Sequence, residues 1–355
     1  MKRLILLCLL CSPLLLLAQT SYQFSTHRNE VSNGYNFWLS IPDTYEEQGD
    51  KMPVVVFLHG HSLCGTDLNR VRKYGCLDAI AMGRDINALI IAPQNPGGPW
   101  DAKKINNVID WVQDRFPMDT NRIYVIGMSQ GGYGTFQYVG TYPERVAAAM
   151  ALCGGSNLRN HCGLNKVPLW IIHGTGDRAV GVGESQKVVD AMKACGPTKL
   201  LRFDKFPGVS HGGLAKMFYI PETYEWLFRH SKADSVRFVD KDVKITVASL
   251  DAAYQNIDRA SNKITVTGQN HVNVPDSTVS TSADTTVATA KPVTTKPETK
   301  PATKPATTHK YHTVKKGDTL SAIARKYHTT VPKLCKLNHI KETSILSLGQ
   351  KIKVR

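Results

Sequence analysis

Three residues, far apart in the chain, carry the groups needed for nucleophilic acyl transfer. Ser129 stands in Gly127-Met128-Ser129-Gln130-Gly131, a G-x-S-x-G pentapeptide. The strand-like run Arg122 to Ile126 precedes it, and Gly132-Tyr133-Gly134-Thr135-Phe136 can open a helix after it. Strand, sharp turn, helix is the setting of a nucleophile elbow. Its glycines matter because neighbouring Cβ atoms would collide on so tight a turn. A serine nucleophile needs a base and an orienting acid. Asp177, in Ile171-Ile172-His173-Gly174-Thr175-Gly176-Asp177, is the candidate acid, on a loop after a strand. His211, in Pro207-Gly208-Val209-Ser210-His211-Gly212, is the candidate base, on a glycine-flanked loop after the run Leu200 to Phe203. The gaps from serine to acid and from acid to base are 48 and 34 residues, each enough for a strand and a helix. His173 and Asp204 are the rivals. His173 sits where its strand ends, which suits a structural role, and Asp204 lies close to its strand, outside any glycine-rich loop.

Developing negative charge on a carbonyl oxygen needs fixed N–H donors. The residue after the nucleophile, Gln130, supplies one backbone N–H. The loop His59-Gly60-His61-Ser62, after the strand-like Val54 to Leu58, supplies the second, assigned to His61. His59 and His61 alternate as a metal pair would. No carboxylate or cysteine cluster with zinc-like spacing accompanies them, so no metal and no cofactor is expected. Trp100, in Asn95-Pro96-Gly97-Gly98-Pro99-Trp100, has two open readings, a pocket wall or a packed loop residue.

The elements that must position these residues follow from apolar patterning. Val54 to Leu58, Ala88 to Ile91, Ile123 to Ile126 and Leu169 to Ile172 are short, continuous and rich in β-branched residues, as in strands buried on both faces. Between them Ile105, Val108, Ile109, Val112 and Phe116 recur at helical spacing, as do Val188, Val189 and Met192 later. Alternation of this kind predicts an α/β fold, a mostly parallel sheet with helices on both faces. Residues 22–41 are expected to add antiparallel strands at its leading edge, turning at Asn33-Gly34. Ligands of open α/β sheets gather at the carboxyl ends of the strands, where Ser129, Asp177 and His211 all fall.

The remaining chain divides by composition. Residues 1–18 begin with Lys2 and Arg3, continue as the apolar run Leu4 to Leu17 and end on the small Ala18. That run is short for a membrane span of about 20 residues and reads as a cleaved signal peptide. No later stretch reads as an integral membrane segment, so the mature chain is expected to be secreted or periplasmic and envelope-associated. The catalytic domain is assigned to residues 19–235. Residues 236–270 hold two strand-like runs, Val236 to Val247 and Lys263 to Val266, and read as a small β appendage. Residues 271–309 are rich in Thr, Pro, Ala and Lys with tandem Lys-Pro repeats, the composition of a disordered spacer. Residues 310–355 hold 11 basic and 2 acidic residues, or +9 of the chain's +15. Export argues against nucleic acid as the partner of this basic end and favours an anionic envelope surface. Six cysteines lie beyond the leader. Cys64 with Cys76, and Cys153 with Cys162, are near enough to pair in an oxidising compartment, or all are buried thiols; both readings stay open.

Leu58-His59-Gly60, Asp119 through Gly134, and Ile172 through Asp177 together resemble secreted α/β-hydrolase esterases, nearest the feruloyl-esterase and acetyl-xylan-esterase type, with prolyl-oligopeptidase-like peptidases as cousins. The resemblance covers roughly residues 30–231. It implies ester hydrolysis through an acyl-enzyme, with Ser129, Asp177 and His211 as the triad. One departure is that Gly181 follows Val180 where the family often has Val-Pro.

Residues 310–355 resemble a LysM module through the turn Gly317-Asp318-Thr319-Leu320, Ile323-Ala324, Leu337-Asn338 and Leu348-Gly349-Gln350-Lys351-Ile352. The resemblance implies a βααβ fold that binds N-acetylglucosamine glycans such as peptidoglycan or chitin. The groove it implies runs along Gly317, Asp318, Thr319 and Leu320 and past Ile345. Cys335 falls on an apolar helical face, as a buried thiol would. The expectation is therefore an exported serine hydrolase acting on carboxylic esters, including acyl or feruloyl groups on polysaccharide, tethered to a glycan-binding module. A peptidase of the same fold and a non-catalytic envelope-binding protein are the alternatives.

Overall fold

The computed structural model describes residues 20–47, 49–255, 257, 262–267, 311–314, 323, 327, 329, 331–338 and 350–354. The expected signal peptide, the expected spacer and the expected groove residues Gly317, Asp318, Thr319, Leu320 and Ile345 lie outside the described residues. The chain forms two compact units, residues 1–275 and 276–355.

The first unit is built on one nine-stranded sheet. Its strands are β1 (Ser21–His27), β2 (Asn36–Pro42), β3 (Met52–Leu58), β4 (Leu89–Gln94), β5 (Met118–Met128), β6 (Ala148–Leu152), β7 (Leu169–Gly174), β8 (Leu201–Phe206) and β9 (Lys263–Thr267). They lie in the order β8-β7-β6-β5-β3-β4-β2-β1-β9. From β4 through β8 every pairing is parallel, and β2 is antiparallel to both β1 and β4. The predicted mostly parallel sheet and its antiparallel leading strands are thus present. Asn33 takes the left-handed backbone in the β1–β2 connection.

Alternate side chains of each central strand serve opposite faces. Val55, Phe57, Tyr124, Ile126, Trp170 and Ile172 enter one buried cluster. Val54, Val56, Leu58, Ile123, Val125, Leu169 and Ile171 enter the other. Helices α2 (Ala102–Gln113), α3 (Gln130–Thr141) and α4 (Gly183–Ala194) cover the second face, and α1 (Cys76–Ala81) and α5 (Pro221–Phe228) the first. Burying an aliphatic side chain of this kind contributes about 1.5–3 kcal/mol. The sheet between two such layers is therefore a rigid platform for the loops at its carboxyl edge.

Two expectations are corrected. The described residues of 236–270 do not form a separate β appendage. Val236 to Val247 forms no strand, because side chains tie its backbone elsewhere. Trp226 Nε1–H donates to the Asp240 carbonyl (2.9 Å), and Asp240 Oδ1 accepts from Asp242 N–H and Val243 N–H. Arg237 caps the carbonyls of Lys166, Val146 and Ala147. Thr246 then opens a short helix, α6 (Val247–Asp251), with a capping box. Val239, Val243, Ile245 and Leu250 pack into the first core cluster, and β9 joins the main sheet in parallel with β1. The extension belongs to the main sheet. The cysteine pairing also differs, since the disulfide joins Cys162 to Cys195. Cys76 is buried against Tyr224, Cys153 is buried at the end of β6, and both are free thiols.

In the second unit β10 (Tyr311–Thr313) pairs antiparallel with β11 (Lys351–Lys353), beside a helix at Val331–Asn338. Val314, Ile323, Leu334, Ile352 and Val354 form its small core, and Cys335 is buried as expected. Asn338 staples helix to strand. Its Nδ2 donates to the Leu334 and Lys353 carbonyls, and its Oδ1 accepts from Lys353 N–H (2.7 Å).

The disulfide closes 33 residues between a turn and the end of α4, a constraint on the unfolded chain of about 3–4 kcal/mol in the loop-entropy estimate. Reduction, or Cys162→Ser, should lower the melting temperature by several degrees in calorimetry; an unchanged midpoint would contradict this role. Buried His59 gives a second test. Its Nδ1–H donates to the Gly60 carbonyl (2.8 Å) and its Nε2 accepts from Asn95 N–H (3.0 Å), an arrangement only the neutral ring can make. Burial lowers its pKa from 6.5 to about 4. The folded value lies below the unfolded one, so its stabilisation is present above pH 6.5 and lost as pH falls through 4. Buried His173 and His230 shift in the same direction. The measurement is therefore the difference in melting temperature between wild type and His59→Gln across this window. That difference should shrink on acidification, and a constant difference would refute it.

Candidate active site

Ser129 occupies the turn between β5 and α3 with φ 59° and ψ −123°, a left-handed backbone for a residue that has a Cβ. Such a conformation costs of order 1–3 kcal/mol and persists only where the surroundings enforce it. Ser129 N–H donates to the Leu152 carbonyl of β6 (2.9 Å), and Tyr133 N–H donates to the Ser129 carbonyl (3.0 Å). The flanking glycines are sterically required. A Cβ on Gly127 would lie 2.2 Å from the Gly131 carbonyl oxygen, and one on Gly131 would lie 1.8 Å from that of Leu58.

Asp177 follows β7, and His211 stands on the loop after β8. The structure brings them together, with His211 Nδ1–H donating to Asp177 Oδ2 at 2.7 Å. The Asp177 side chain is fully buried. Its other oxygen, Oδ1, accepts from Ala179 N–H (2.9 Å) and Val180 N–H (2.8 Å). Burial alone pushes this carboxyl up. The Val180 N–H, His211 and the Ala179 N–H together outweigh it and hold the group below its ordinary value. The acid is thus ionised at neutral pH and oriented by three donors. The His211 side chain is 25% exposed, the more accessible of the pair.

The rivals take structural places. His173 is buried, with Nδ1 paired to Ser185 Oγ (2.7 Å) and Nε2 to the Val180 carbonyl (2.8 Å). It braces the loop that carries Asp177. Asp204 accepts from Trp170 Nε1–H and from Arg202 Nε–H. Trp100 is a packed loop residue, 4% exposed, against Tyr35 and His59, with its Nε1–H directed to the His59 carbonyl.

Sequence reasoning missed Cys153 as a neighbour of this pair. It follows β6 with φ 39°, and its Sγ lies within 4.8 Å of ligand atoms of both Asp177 and His211. Burial raises its thiol pKa, so it remains a thiol at neutral pH. The missed signal was its position at the carboxyl end of an alanine-rich strand that periodicity did not reveal. Among the described residues no hydrogen bond joins Ser129 Oγ to His211.

The loop after β3 passes close to the serine, since a Cβ on Gly60 would lie 3.3 Å from Ser129 Cβ. Gly60 N–H is already given to Tyr74 Oη (2.9 Å). Neither His61 N–H nor Gln130 N–H has a protein acceptor among the described residues. Both are therefore available to an incoming oxygen.

Two segments of the chain match known families. Residues 97–223 match the phospholipase/carboxylesterase family, and residues 312–355 match the LysM domain. A probable acetylxylan esterase A of Neosartorya fischeri is 31% identical over 86 residues, covering 24% of this chain and 23% of that protein. A bifunctional acetylxylan esterase/xylanase of Neocallimastix patriciarum is 31% identical over 81 residues, covering 22% and 12%. The chain thus spans under a quarter of the length of these two relatives. Among solved structures, a thermostable esterase shares 24% identity at a TM-score of 0.48, covering 59% of this chain and 63% of that one. A feruloyl esterase module from Clostridium thermocellum shares 18% at 0.46, covering 62% and 91%. The segment that matches the phospholipase/carboxylesterase family, residues 97–223, includes Ser129, Asp177 and His211.

Proposed function

We propose that the protein is an exported serine esterase that hydrolyses carboxylic esters, among them acyl groups on polysaccharide, and that its LysM domain holds it on N-acetylglucosamine-containing glycan. The observation that carries the first part is the 2.7 Å bond from His211 to a buried, ionised Asp177, beside an elbow serine with φ 59°. The acetylxylan esterase relatives support the ester class. The LysM match supports the second part.

In this reading His211 Nε2 takes the Ser129 hydroxyl proton as Oγ bonds to the ester carbonyl carbon. Asp177 stabilises the imidazolium and fixes its tautomer through Nδ1. The carbonyl oxygen, now negative, accepts from Gln130 N–H and His61 N–H. The C–O bond to the alcohol then breaks, the alcohol leaves with the proton from His211, and the acyl group stays on Ser129. Water repeats the sequence and releases the acid. His211 must close on Ser129 Oγ for the first proton transfer, which its partial exposure permits; catalytic hydrogen bonds commonly tighten only with substrate.

Ser129→Ala should lower turnover of p-nitrophenyl acetate by about 10⁴-fold or more and abolish fluorophosphonate labelling. His211→Ala should cost about as much, the double variant little more, and Asp177→Asn less. Near-normal turnover by Ser129→Ala refutes the nucleophile. Cleavage of peptide amides in preference to p-nitrophenyl and feruloyl esters refutes the ester class.

Deleting residues 271–355 should leave turnover of a small soluble ester unchanged and abolish pull-down on insoluble peptidoglycan or chitin. Surface charge attraction is screened to about 3 Å near 1 M salt. Glycan recognition should survive that salt and be competed by chitin oligosaccharides. Loss of all binding in salt, with no competition, would reduce the domain to a basic tail.

A further inference from the structure

The loop carrying His61 is fastened at nearly every residue by the rest of the first unit. Gly60 N–H is bound by Tyr74 Oη, the Ser62 carbonyl by Arg70 (2.7 Å), the Leu63 carbonyl by Gln94 Nε2 (3.2 Å), and Gly65 N–H by the Asn95 carbonyl (3.1 Å). His61 is exposed, and its own fastening comes from the residue beside the nucleophile. His61 Nδ1–H donates to Gln130 Oε1 at 3.1 Å. Cys64 Sγ–H reaches the same oxygen at 3.5 Å. The Gln130 Nε2 donates to the Gly98 carbonyl, which also accepts from Asn95 Nδ2 at 2.9 Å. One amide at the first turn of α3 thus joins the loop after β3 and the loop after β4 to the serine turn.

We propose that the Gln130 side chain is a positioning clamp that sets the spacing of the two oxyanion donors, its own backbone N–H and that of His61. This rests on the reading of those two N–H groups as the oxyanion hole. The chemistry of the amide suits the task. Its carbonyl accepts and its NH₂ donates, so it satisfies an imidazole N–H on one side and a backbone carbonyl on the other. It does so without placing a charge beside the developing oxyanion. The backbone N–H of Gln130 is fixed by the helix start, whereas that of His61 belongs to an exposed loop. Tying the His61 side chain to Gln130 transfers the rigidity of α3 to the second donor. Donor placement is exacting, because an error of about 1 Å can cost on the order of 100-fold in rate.

The test is steady-state kinetics of the full-length protein on p-nitrophenyl acetate. Gln130→Ala and His61→Ala both keep the two backbone N–H groups. Each should lower kcat by about 10- to 100-fold with KM within about twofold. The double variant should lose no more than either single, because both remove one clamp. Gln130→Glu should lose more than Gln130→Ala at neutral pH, since its carboxylate faces the oxyanion and cannot donate to Gly98; a merely structural residue would not discriminate charge this way. His61→Ala breaks the bond from the exposed side, so it keeps the test decisive if Gln130→Ala folds poorly. A kcat within twofold of wild type in either alanine variant, or losses that multiply in the double variant, would overturn the clamp. A wild type that hydrolyses no ester and takes no fluorophosphonate would instead sink the esterase reading beneath it.

Discussion

The close approach of four backbones at Ser129 is the constraint on which the rest of the site depends. α3 begins wedged between the carboxyl ends of β3 and β6, the two strands flanking β5. Its Gly131 stands where any Cβ would meet the Leu58 carbonyl of β3, and Gly132 where one would lie 2.6 Å from the Leu152 carbonyl of β6. The left-handed serine follows from that wedge. The chain must leave a buried strand and enter a helix within one residue, and the hydrogen bond from Ser129 N–H to Leu152 fixes how it does so. The strand order β6-β5-β3 therefore determines how Ser129 is presented as much as the local turn does.

The acid and the histidine rest on a second contact of the same kind. A Cβ on Gly174 would lie 2.0 Å from the Val209 carbonyl, and one on Gly176 would lie 2.5 Å from that of Gly208. The loops after β7 and β8 thus run backbone against backbone, as side chains would forbid. Gly176 N–H also donates to the Val209 carbonyl (3.1 Å). Only this proximity puts His211 within 2.7 Å of a carboxylate already held by two backbone donors. Burial penalises the charge on Asp177, and the three donors reverse that penalty. A buried carboxylate with fewer partners would take up a proton and cease to orient an imidazole.

Much of this was legible in the sequence, and the reason is steric. Gly127, Gly131, Gly174 and Gly176 mark places where only glycine fits, so motif and geometry carry the same information. The continuous apolar runs of β3, β4, β5 and β7 likewise announce strands buried on both faces. β6 escaped because Ala148-Ala149-Met150-Ala151-Leu152 lacks the β-branched bulk that marks its neighbours. With it went the place of Cys153. The course of residues 236–246 was hidden for a different reason. Its alternation suggests a strand, yet Arg237 donates to the carbonyls of other elements and Asp240 turns back on the N–H groups of its own segment. The Cys162–Cys195 pairing depends on where α4 ends relative to a turn 33 residues earlier, which is tertiary information. The side-chain contacts of Gln130 are tertiary as well, since both its partners come from loops after other strands.

The path of the chain out of the first unit bears on how two modules can share one polypeptide. β9 pairs with β1 at one end of the sheet, and β8 forms the other end. The loops bearing Asp177 and His211 follow β7 and β8. The first unit thus reaches its last strand at the edge farthest from the acid and the base. β9 also covers β1 while presenting Lys263, Thr265 and Thr267 to solvent, a short polar edge that discourages further strand addition. Arg84 reinforces the approach to that edge by donating to the carbonyls of Tyr219, Ala253 and Gln255. The extension that looked like an appendage in the sequence is therefore better understood as the anchored end of the catalytic sheet.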